Sequence, residues 1–233
     1  MGNNISVWLI IAQTNLHVGN ESINNFGVID QTIQRDSLTY LPCINSSSLK
    51  GAIKEFVAMN VKNISCKEVF GSGKNVTADA DTQKGNTIFF DANLLFLPVQ
   101  SKREGYLYNM VYEEAVLNEF LTKLSVLGVE FTKDEIVKKM KDLIKVPYVT
   151  VSNFEKYSND ENLPIIARNK LENGESDNLW YEQVLPPNSV LGTLIIAKDN
   201  SLDRVLDGQL IQIGANATVG YGFCTFVKLT KEG

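Results

Sequence analysis

The sequence predicts an α+β domain with an antiparallel sheet and helices on one face of that sheet. Short apolar runs rich in β-branched residues and amphipathic helical patterns alternate in an irregular order, which is typical of this class. The 233 residues are 44% apolar and 21% charged, so a single domain can bury a substantial core. No internal repeat is visible, and no apolar run reaches the roughly 18 residues of a membrane span.

The N-terminal half of the chain contains one strong strand pattern and one strong helix pattern. Residues 6–14 form a nearly continuous apolar run, as a buried strand does. Residues 46–60 begin with serines and carry Leu49 and Ile53 at helical spacing, which predicts a helix. Four further elements are predicted here: a long polar loop over 71–86, strands over 87–99 and 106–111, and a helix over 113–124.

The C-terminal half begins with a capping box from Thr132 to Glu135, which predicts a helix that ends before Pro147. An Asn173-Gly174 turn lies between two strand patterns and predicts a long hairpin. The remaining predicted elements are strands over 148–151, 163–168, 179–184, 190–197 and 223–229, and a short helix over 201–207. In this order the elements resemble the split βαβ unit of the ferredoxin-like fold.

Charge and cysteine content narrow the class of function. A net charge of -5 argues against a nucleic-acid partner. Most of this charge, however, comes from residues 151–182, which hold seven acids and three bases. Residues 31–62 contain four bases and two acids, so this segment is locally basic. A binding groove depends on such local charge and not on the net charge of the whole chain. Three widely spaced cysteines without a Cys-x-x-Cys motif indicate neither a disulfide framework nor a zinc site. We therefore expect a cytoplasmic protein with no signal peptide and no membrane partner.

Two residues near the N-terminus are candidates for catalysis. Asp30 lies on a predicted loop, where it can act as a base, orient a ribose hydroxyl or hold a divalent ion. Its simpler interpretation is a loop cap that accepts hydrogen bonds from backbone N–H groups. His17 is the only histidine, which excludes a mechanism with two imidazoles. A purely structural role is the simpler interpretation for it.

A candidate phosphate-binding surface follows the loop. Arg35 can form paired hydrogen bonds with a phosphate, and the N-terminus of the predicted helix presents unpaired N–H groups. The residues of this helix that belong to the candidate surface are Ser46, Ser47, Ser48, Lys50 and Lys54. The alternatives are an ordinary helix cap and a solvated charged face.

Two later segments add candidates for RNA contacts. The glycine-rich loop over 213–223 permits close approach of its backbone to a ligand, and Tyr221 can stack on a base. The predicted hairpin carries basic and aromatic side chains that can wedge into a duplex. The alternatives are a tight turn and an acidic surface hairpin. The residues assigned to RNA binding in these two segments are Gly214, Gly220, Tyr221, Gly222, Arg168 and Lys170.

Several motifs in a fixed order carry a resemblance to a known family. They are His17-Val18-Gly19, Val28-Ile29-Asp30 with Ile33-Gln34-Arg35, Ser47-Ser48-Leu49-Lys50-Gly51, and Thr218-Val219-Gly220-Tyr221-Gly222. With these motifs the chain resembles the RAMP superfamily of CRISPR proteins. More narrowly, the Asp30 motif and the run Leu179-Trp180-Tyr181-Glu182 before Leu185-Pro186 are similar to the repeated backbone subunit of type III-B (Cmr) effector complexes.

The resemblance implies a modified ferredoxin-like or RRM-like palm with a β-hairpin thumb. The whole chain is then a single domain, with the palm over roughly 1–147 and 186–233 and the thumb within roughly 148–185. Copies in this family stack head to tail along a CRISPR RNA, together with a large polymerase/cyclase-type subunit and a small subunit. Each thumb interrupts the duplex of guide and target RNA at six-nucleotide intervals.

The resemblance also implies an activity. It makes the chain a metal-dependent endoribonuclease that uses Mg²⁺ or Mn²⁺ and leaves 2′,3′-cyclic phosphate and 5′-hydroxyl ends on the target RNA. Asp30 matches the catalytic aspartate of the family and is a candidate metal ligand, with His17 as a supporting residue. Tyr181 and Glu182 match positions where further active-site side chains are expected. Arg35, the serine-rich helix start with Lys50, and the glycine loop match contacts to the guide backbone.

Two other functions stay open from the sequence. One is a guide-binding backbone subunit that does not cleave, like the type III-A counterpart. The other is an unrelated ferredoxin-like enzyme that acts on a small phosphorylated substrate. Replacing Asp30 by Ala separates cleaving from non-cleaving subunits, whereas a monomer or dimer that purifies without RNA is expected of the small-substrate enzyme.

Overall fold

A large sheet organises the fold. The computed structural model describes residues 4–19, 29–72 and 83–231. Its strands are β1 Asn4–Ala12, β2 Cys43–Ile44, β3 Ile88–Phe89, β4 Ala92–Gln100, β5 Tyr108–Glu113, β6 Tyr148–Val151, β7 Ile165–Glu172, β8 Glu175–Gln183, β9 Val190–Ala197, β10 Leu210–Gln212 and β11 Phe223–Leu229. Its α-helices are α1 Ser46–Asn60, α2 Cys66–Phe70, α3 Glu114–Val126, α4 Lys133–Leu143, α5 Glu155–Ser158 and α6 Ser201–Leu206.

Nine strands form this sheet, and β1 lies near its centre. The main path runs β10-β11-β1-β9-β4-β5-β6, with β2 paired to β4 and β3 paired to β9. Within the described ranges every strand pairing is antiparallel except that between β5 and β6. Trp8 in β1 pairs with Lys228 on one side and Thr193 on the other. The predicted α+β class with a mostly antiparallel sheet is confirmed.

Helices cover both faces of the sheet, so the prediction of helices on one face is wrong. Trp8 and Ile10 pack in one core with residues of α1 and α6. Val7 and Leu9 point the opposite way and pack in a second core with residues of α3 and α4. Both faces of β1 are apolar, and each therefore needs a cover that excludes water.

Most predicted elements lie where the sequence places them. The helix over 46–60 and the strands over 148–151, 190–197 and 223–229 coincide with α1, β6, β9 and β11. The predicted strand over 87–99 is divided into β3 and β4. The five residues from Phe89 to Asn93 lie opposite the four from Ile195 to Gly192 on β9, so one extra residue interrupts the pairing.

Short elements escape the sequence patterns. β2, β10, α2 and α5 have two, three, five and four residues, too few to show a period of alternation. Of the predicted loop over 71–86, residues 73–82 lie outside the described part of the chain, as do Gly27 and Val28 beside Asp30.

The predicted long hairpin is present as a separate two-stranded sheet of β7 and β8. Its turn has a φ of 53° at Asn173 and 89° at Gly174, the left-handed backbone that a two-residue hairpin turn requires. The described side chains of the hairpin strands belong to neither core. The boundaries of palm and thumb remain predictions.

None of the helices in the described ranges combines the length and the apolar character needed to cross a membrane.

Candidate nucleic-acid interface

The backbone around Asp30 is held on both sides by hydrogen bonds. The Gln31 N–H donates to the Tyr181 carbonyl at 3.1 Å, and the Gln183 N–H donates to the Gln31 carbonyl at 2.9 Å. On its other side the segment pairs with residues 18–19. The loop therefore joins the end of β8 to the chain that follows β1.

The Asp30 carboxylate is fixed through one oxygen and open at the other. Its Oδ2 accepts a hydrogen bond of 2.8 Å from the Tyr181 N–H, a residue 151 positions away. Asp30 is exposed, and no described residue bonds its Oδ1. The loop-cap interpretation holds in part, because the carboxylate does cap a backbone N–H. That N–H belongs to β8 and not to the loop itself, so the fold brings Asp30 to the backbone of Tyr181, and an active-site role for the Tyr181 side chain stays a prediction.

Glu182 is buried, at 2% exposure, and both of its carboxylate oxygens are bonded. Oε1 accepts from Trp180 Nε1 at 2.8 Å, and Oε2 accepts from Asn216 Nδ2 at 2.9 Å. Asn216 lies on the glycine-rich loop in the left-handed conformation, with a φ of 65°. Glu182 thus joins the base of the hairpin to that loop, which is the geometry of a positioning residue.

His17 is equally buried, at 2% exposure. Its Nδ1 lies 2.7 Å from the Gln183 carbonyl, so Nδ1 carries the proton that it donates. The His17 carbonyl accepts from the Ala215 N–H at 2.9 Å. The ring and the backbone of this one residue therefore hold the end of β8 and the glycine-rich loop together.

Two glycines of that loop serve close backbone packing. A Cβ at Gly214 would lie 2.2 Å from the His17 carbonyl oxygen, and a Cβ at Gly222 would lie 2.0 Å from the Ile213 carbonyl oxygen. Gly220 has a φ of 84° but no atom near its missing Cβ. The first two glycines are required by the fold itself, whereas Gly220 leaves open space where a ligand can approach.

Arg35 is engaged within the protein. Its Nη2 lies 2.7 Å from Asp160 Oδ1, and its side chain is only 7% exposed. Its Nη1 donates to the Tyr40 and Ser158 carbonyls, both at 2.9 Å, and the guanidinium lies 4.8 Å from the centre of the Tyr40 ring. Little of the guanidinium is left for a phosphate, and contact between Arg35 and RNA stays a prediction.

Asp160, the partner of Arg35, accepts several hydrogen bonds. Burial raises the pKa of the Asp160 carboxyl, but hydrogen bonds from Gln183 and Tyr40 lower it. The Arg35 charge lowers it further, so the pKa of Asp160 lies below its usual value. Asp160 is therefore the charged centre of a network that ties the segment after Asp30 to the hairpin.

The start of α1 lies next to the same segment. Gln34 Nε2 donates to Ser48 Oγ at 3.1 Å, and the Asn45 N–H donates to Gln34 Oε1 at 2.8 Å. The Ser46 N–H already donates to Asp91 Oδ1 at 2.5 Å, so a carboxylate occupies one of the donors expected to bind phosphate. Ser47 is exposed. Lys50 and Lys54 are half-buried and form no ion pair with a described residue.

The hairpin and the glycine-rich loop meet through a cation–π contact. The Arg168 guanidinium lies 5.5 Å from the centre of the Tyr221 ring. Lys170 instead pairs with Asp177 on the facing strand at 2.5 Å. Arg168 and Tyr221 thus form one surface at the side of the hairpin, and Lys170 lies on the exposed part beyond it.

The profile of the RAMP superfamily matches residues 9–225, which is nearly the whole chain and contains every side chain of this site. The chain belongs to the RAMP superfamily.

Relatives of this RAMP protein agree with the narrower resemblance to type III-B subunits. The Cmr endoribonuclease Cmr4 of Pyrococcus furiosus is 28% identical, with 89% of this chain and 91% of the relative covered. The CMR subunit Cmr4 of Saccharolobus solfataricus is 27% identical over 90% of this chain and 73% of the relative. Among solved structures, a chain of the type III-B Cmr-beta complex bound to cognate target RNA has a TM-score of 0.73 at 19% identity, with 97% of each chain covered. Oligomeric Cmr4 from Pyrococcus furiosus has a TM-score of 0.69 at 19% identity, with 98% of this chain and 100% of that chain covered.

The donor set around Asp30 fits a divalent ion only in part. The described residues of this RAMP protein contain no group of three or more histidine, cysteine or acidic side chains placed to share a metal. Glu182 uses both of its oxygens, and His17 is buried with Nδ1 engaged. Asp30 Oδ1 can supply a single ligand, and Mg²⁺ accepts such a site when waters and substrate phosphates complete its shell.

The residues that sequence reasoning misses are the partners of the predicted ones. Asn216 bonds Glu182, Gln183 bonds His17, and Asp160 pairs with Arg35. The pairs are separated by 34, 166 and 125 positions in the chain. No local pattern indicates such partners, because only the tertiary fold brings them together.

Proposed function

We propose that this RAMP protein is the backbone subunit of a type III-B CRISPR effector, which binds CRISPR RNA and cleaves complementary target RNA at six-nucleotide intervals. One observation carries the proposal. The exposed Asp30 carboxylate is anchored by the Tyr181 N–H through Oδ2 and is open at Oδ1, at the junction of the Asp30 loop with the base of the hairpin. The naming of a relative at 28% identity as an endoribonuclease supports it.

The chemistry follows from that geometry. When the hairpin, as a thumb, separates stacked bases, the ribose 2′-hydroxyl of the target can come into line with its own phosphate. Asp30 Oδ1 takes the hydroxyl proton, the 2′-oxygen bonds to phosphorus, and the 5′-oxygen leaves with a proton from solvent. The products are a 2′,3′-cyclic phosphate and a 5′-hydroxyl. Alternatively, the open Oδ1 of Asp30 would hold a divalent ion together with RNA phosphates, and that ion would neutralise charge that develops on the phosphate.

Buried neighbours keep this acid in place. Glu182 and His17 each join the end of β8 to the glycine-rich loop, so the Tyr181 N–H that anchors Asp30 has a fixed position. We assign to both residues a positioning role. Sequence specificity then comes from base pairing between guide and target, and the protein reads backbone and shape.

The RNA surface extends from this acid in two directions. On one side lies the start of α1 with Ser47, Lys50 and Lys54, and on the other lies the Arg168 and Tyr221 pair. Copies stacked head to tail would place these surfaces along one guide in the cytoplasm, beside the large and small effector subunits. The local excess of bases in residues 31–62 supports the first surface.

The decisive experiment compares target cleavage by assembled complexes that carry wild-type chain, Asp30→Asn or Asp30→Ala. We expect both variants to lose at least about 100-fold in cleavage rate with unchanged target binding, since general-base catalysis contributes about 10²–10⁴-fold. The matched control is Asp142→Asn, because Asp142 is an exposed acid on α4 that lies 3.9 Å from the surface residue Lys138. Unchanged cleavage in Asp30→Ala contradicts the assignment, and binding without cleavage in the wild type indicates a guide-binding scaffold.

A further inference from the structure

We propose that the turn between β4 and β5 of one copy docks into an acidic groove at the opposite end of the same two strands on the next copy. The proposal rests on the proposed function, in which copies stack along a guide RNA. It names the surfaces that meet in the stack.

The groove lies where β4 begins and β5 ends. The described residues form a cavity of about 460 Å³ at this place. An adjoining hollow of about 440 Å³ shares Phe120 with it. Its floor consists of buried apolar side chains, namely Leu94, Leu95, Phe120 and Phe154. Leu38 at its rim is 88% exposed. Apolar surface of this kind gains free energy when a partner covers it.

The charge of the groove selects its occupant. Four acids line it, and the single base Lys123 pairs with one of them at 3.8 Å. The acids are Asp36, Glu113, Glu119 and Glu155. Hydrogen bonds from Thr39 and Leu38 outweigh burial and lower the pKa of Asp36, which keeps it ionised. An RNA backbone is repelled by such a surface, and a basic, apolar protein segment is attracted.

The β4–β5 turn has the complementary character. It carries Lys102 and Arg103 against the single acid Glu104, and Leu107 in it is 89% exposed. The turn is closed by hydrogen bonds of its own, since the Ser101 N–H donates to the Leu107 carbonyl at 3.0 Å and the Tyr106 N–H donates to the Arg103 carbonyl at 3.3 Å. A preordered segment loses little conformational entropy when it binds.

The position of the two surfaces in the fold favours a stack. β4 and β5 are antiparallel neighbours, so their connecting turn and the groove lie at opposite ends of one hairpin. At about 3.3 Å per residue, the eight residues or so between them span roughly 25 Å. Two complementary surfaces at opposite ends generate a head-to-tail chain of copies and not a closed dimer.

The interface is small, and this has a consequence for the experiment. A turn of seven residues buries less than the roughly 1,000 Å² that a stable complex requires by itself. A shared guide RNA raises the effective concentration of neighbouring copies. Docking is therefore to be tested on copies assembled on CRISPR RNA.

The experiment uses disulfide trapping between two variant chains, since a disulfide forms only where the two Cα atoms approach to about 7 Å. One chain carries Leu107→Cys and the other carries Leu38→Cys. Both also carry Cys66→Ser, which removes the partly exposed native cysteine, whereas Cys43 and Cys224 are buried and are kept. We expect cross-linked dimers in the mixture at a yield at least about tenfold above either chain alone. Met59→Cys, at 74% exposure on α1, replaces Leu38→Cys in the matched control and should give no such product. Adding Arg103→Glu should lower the yield several-fold, and Glu155→Lys in the groove chain should restore it.

Each result decides a different point. If copies co-assemble on the guide without the Leu107–Leu38 cross-link, the docking proposal is overturned and the proposed function stands. If copies do not assemble on the guide at all, both fail. A cross-link that survives Arg103→Glu at full yield overturns the role of charge in the docking.

Discussion

Among single residues, the two acids near the hairpin differ in what their oxygens can still do. Asp30 is exposed with Oδ1 open, whereas Glu182 is buried and accepts a hydrogen bond on each oxygen. A carboxylate with a free oxygen can accept a proton or a cation, and one without it can only keep its neighbours in place. Asp30 alone of the two therefore has the geometry of a reacting group.

If His17 holds its neighbours in position, a substitution that removes its hydrogen bond should lower stability and activity together. His17→Ala removes the donor to the Gln183 carbonyl and should lower the free energy of unfolding by about 1–3 kcal/mol. His17→Asn keeps an N–H donor and should recover part of both stability and cleavage. Urea unfolding and target cleavage are measured on the same three proteins. Lost cleavage with an unchanged free energy of unfolding would assign the imidazole a direct chemical role.

The Asp160 network predicts a dependence of stability on pH. The folded pKa of Asp160 lies below its unfolded value of about 3.8, so the carboxylate stabilises the fold above that pH. The contribution is lost as pH falls through the lowered folded pKa. Asp160→Asn should therefore be less stable than wild type near neutral pH, and the difference should shrink as the pH falls below the unfolded pKa and through the lowered folded pKa. A difference in urea midpoint that stays constant over this range contradicts the interpretation.

At the scale of elements, β8 has two different parts. Its first residues form the exposed hairpin with β7, and its last residues bond the Asp30 loop and His17. Trp180 and Glu182 lie at the change between the two parts. The residue that anchors Asp30, Tyr181, thus belongs to the same strand as the exposed hairpin.

We expect a variant with a shortened hairpin to keep the fold. Deleting residues 171–172 and 175–177 keeps the Asn173-Gly174 turn and closes it on the existing Lys170–Asn178 pair. Because the described side chains among the deleted residues, those of Glu172, Glu175, Ser176 and Asp177, lie outside both cores, we expect a change in the free energy of unfolding within about 1 kcal/mol. Target cleavage should fall while guide binding is retained if, as proposed, the hairpin acts as the thumb that separates the duplex. A full-rate shortened variant in a gel-based cleavage assay would remove the hairpin from the mechanism.

At the scale of the whole molecule, the side chains that form the two cores lie apart from the candidate functional residues. Two cores, one on each face, enclose β1, while Asp30 and the hairpin lie outside them. Substitutions at the site can therefore change activity without unfolding the protein, except at buried residues such as His17. This separation makes binding and cleavage experiments on Asp30 variants interpretable.

The partial fit of a metal predicts different effects of chelation on activity and stability. A divalent ion held by one carboxylate and RNA phosphates binds only in the complex with RNA. Chelator should abolish cleavage, restored by Mg²⁺ or Mn²⁺, but leave the thermal midpoint of the isolated chain unchanged. A lower midpoint after chelation would reveal a metal bound by the protein alone. Full cleavage after chelation would make the activity metal-independent.

The sequence by itself determined the secondary-structure elements that a short local pattern encodes. The apolar run of β1, the capping box of α4 and the Asn173-Gly174 turn each reside in a short run of residues, so strands, helices and the hairpin follow from them. The ordered motifs also indicated the RAMP family, and a catalytic role for Asp30 stays a prediction from them. Tertiary structure alone decided that helices cover both faces of the sheet, that Asp160 engages Arg35, and that Asn216 bonds Glu182. These contacts join residues far apart in the chain, and their formation depends on the packing of the whole fold rather than on any local preference.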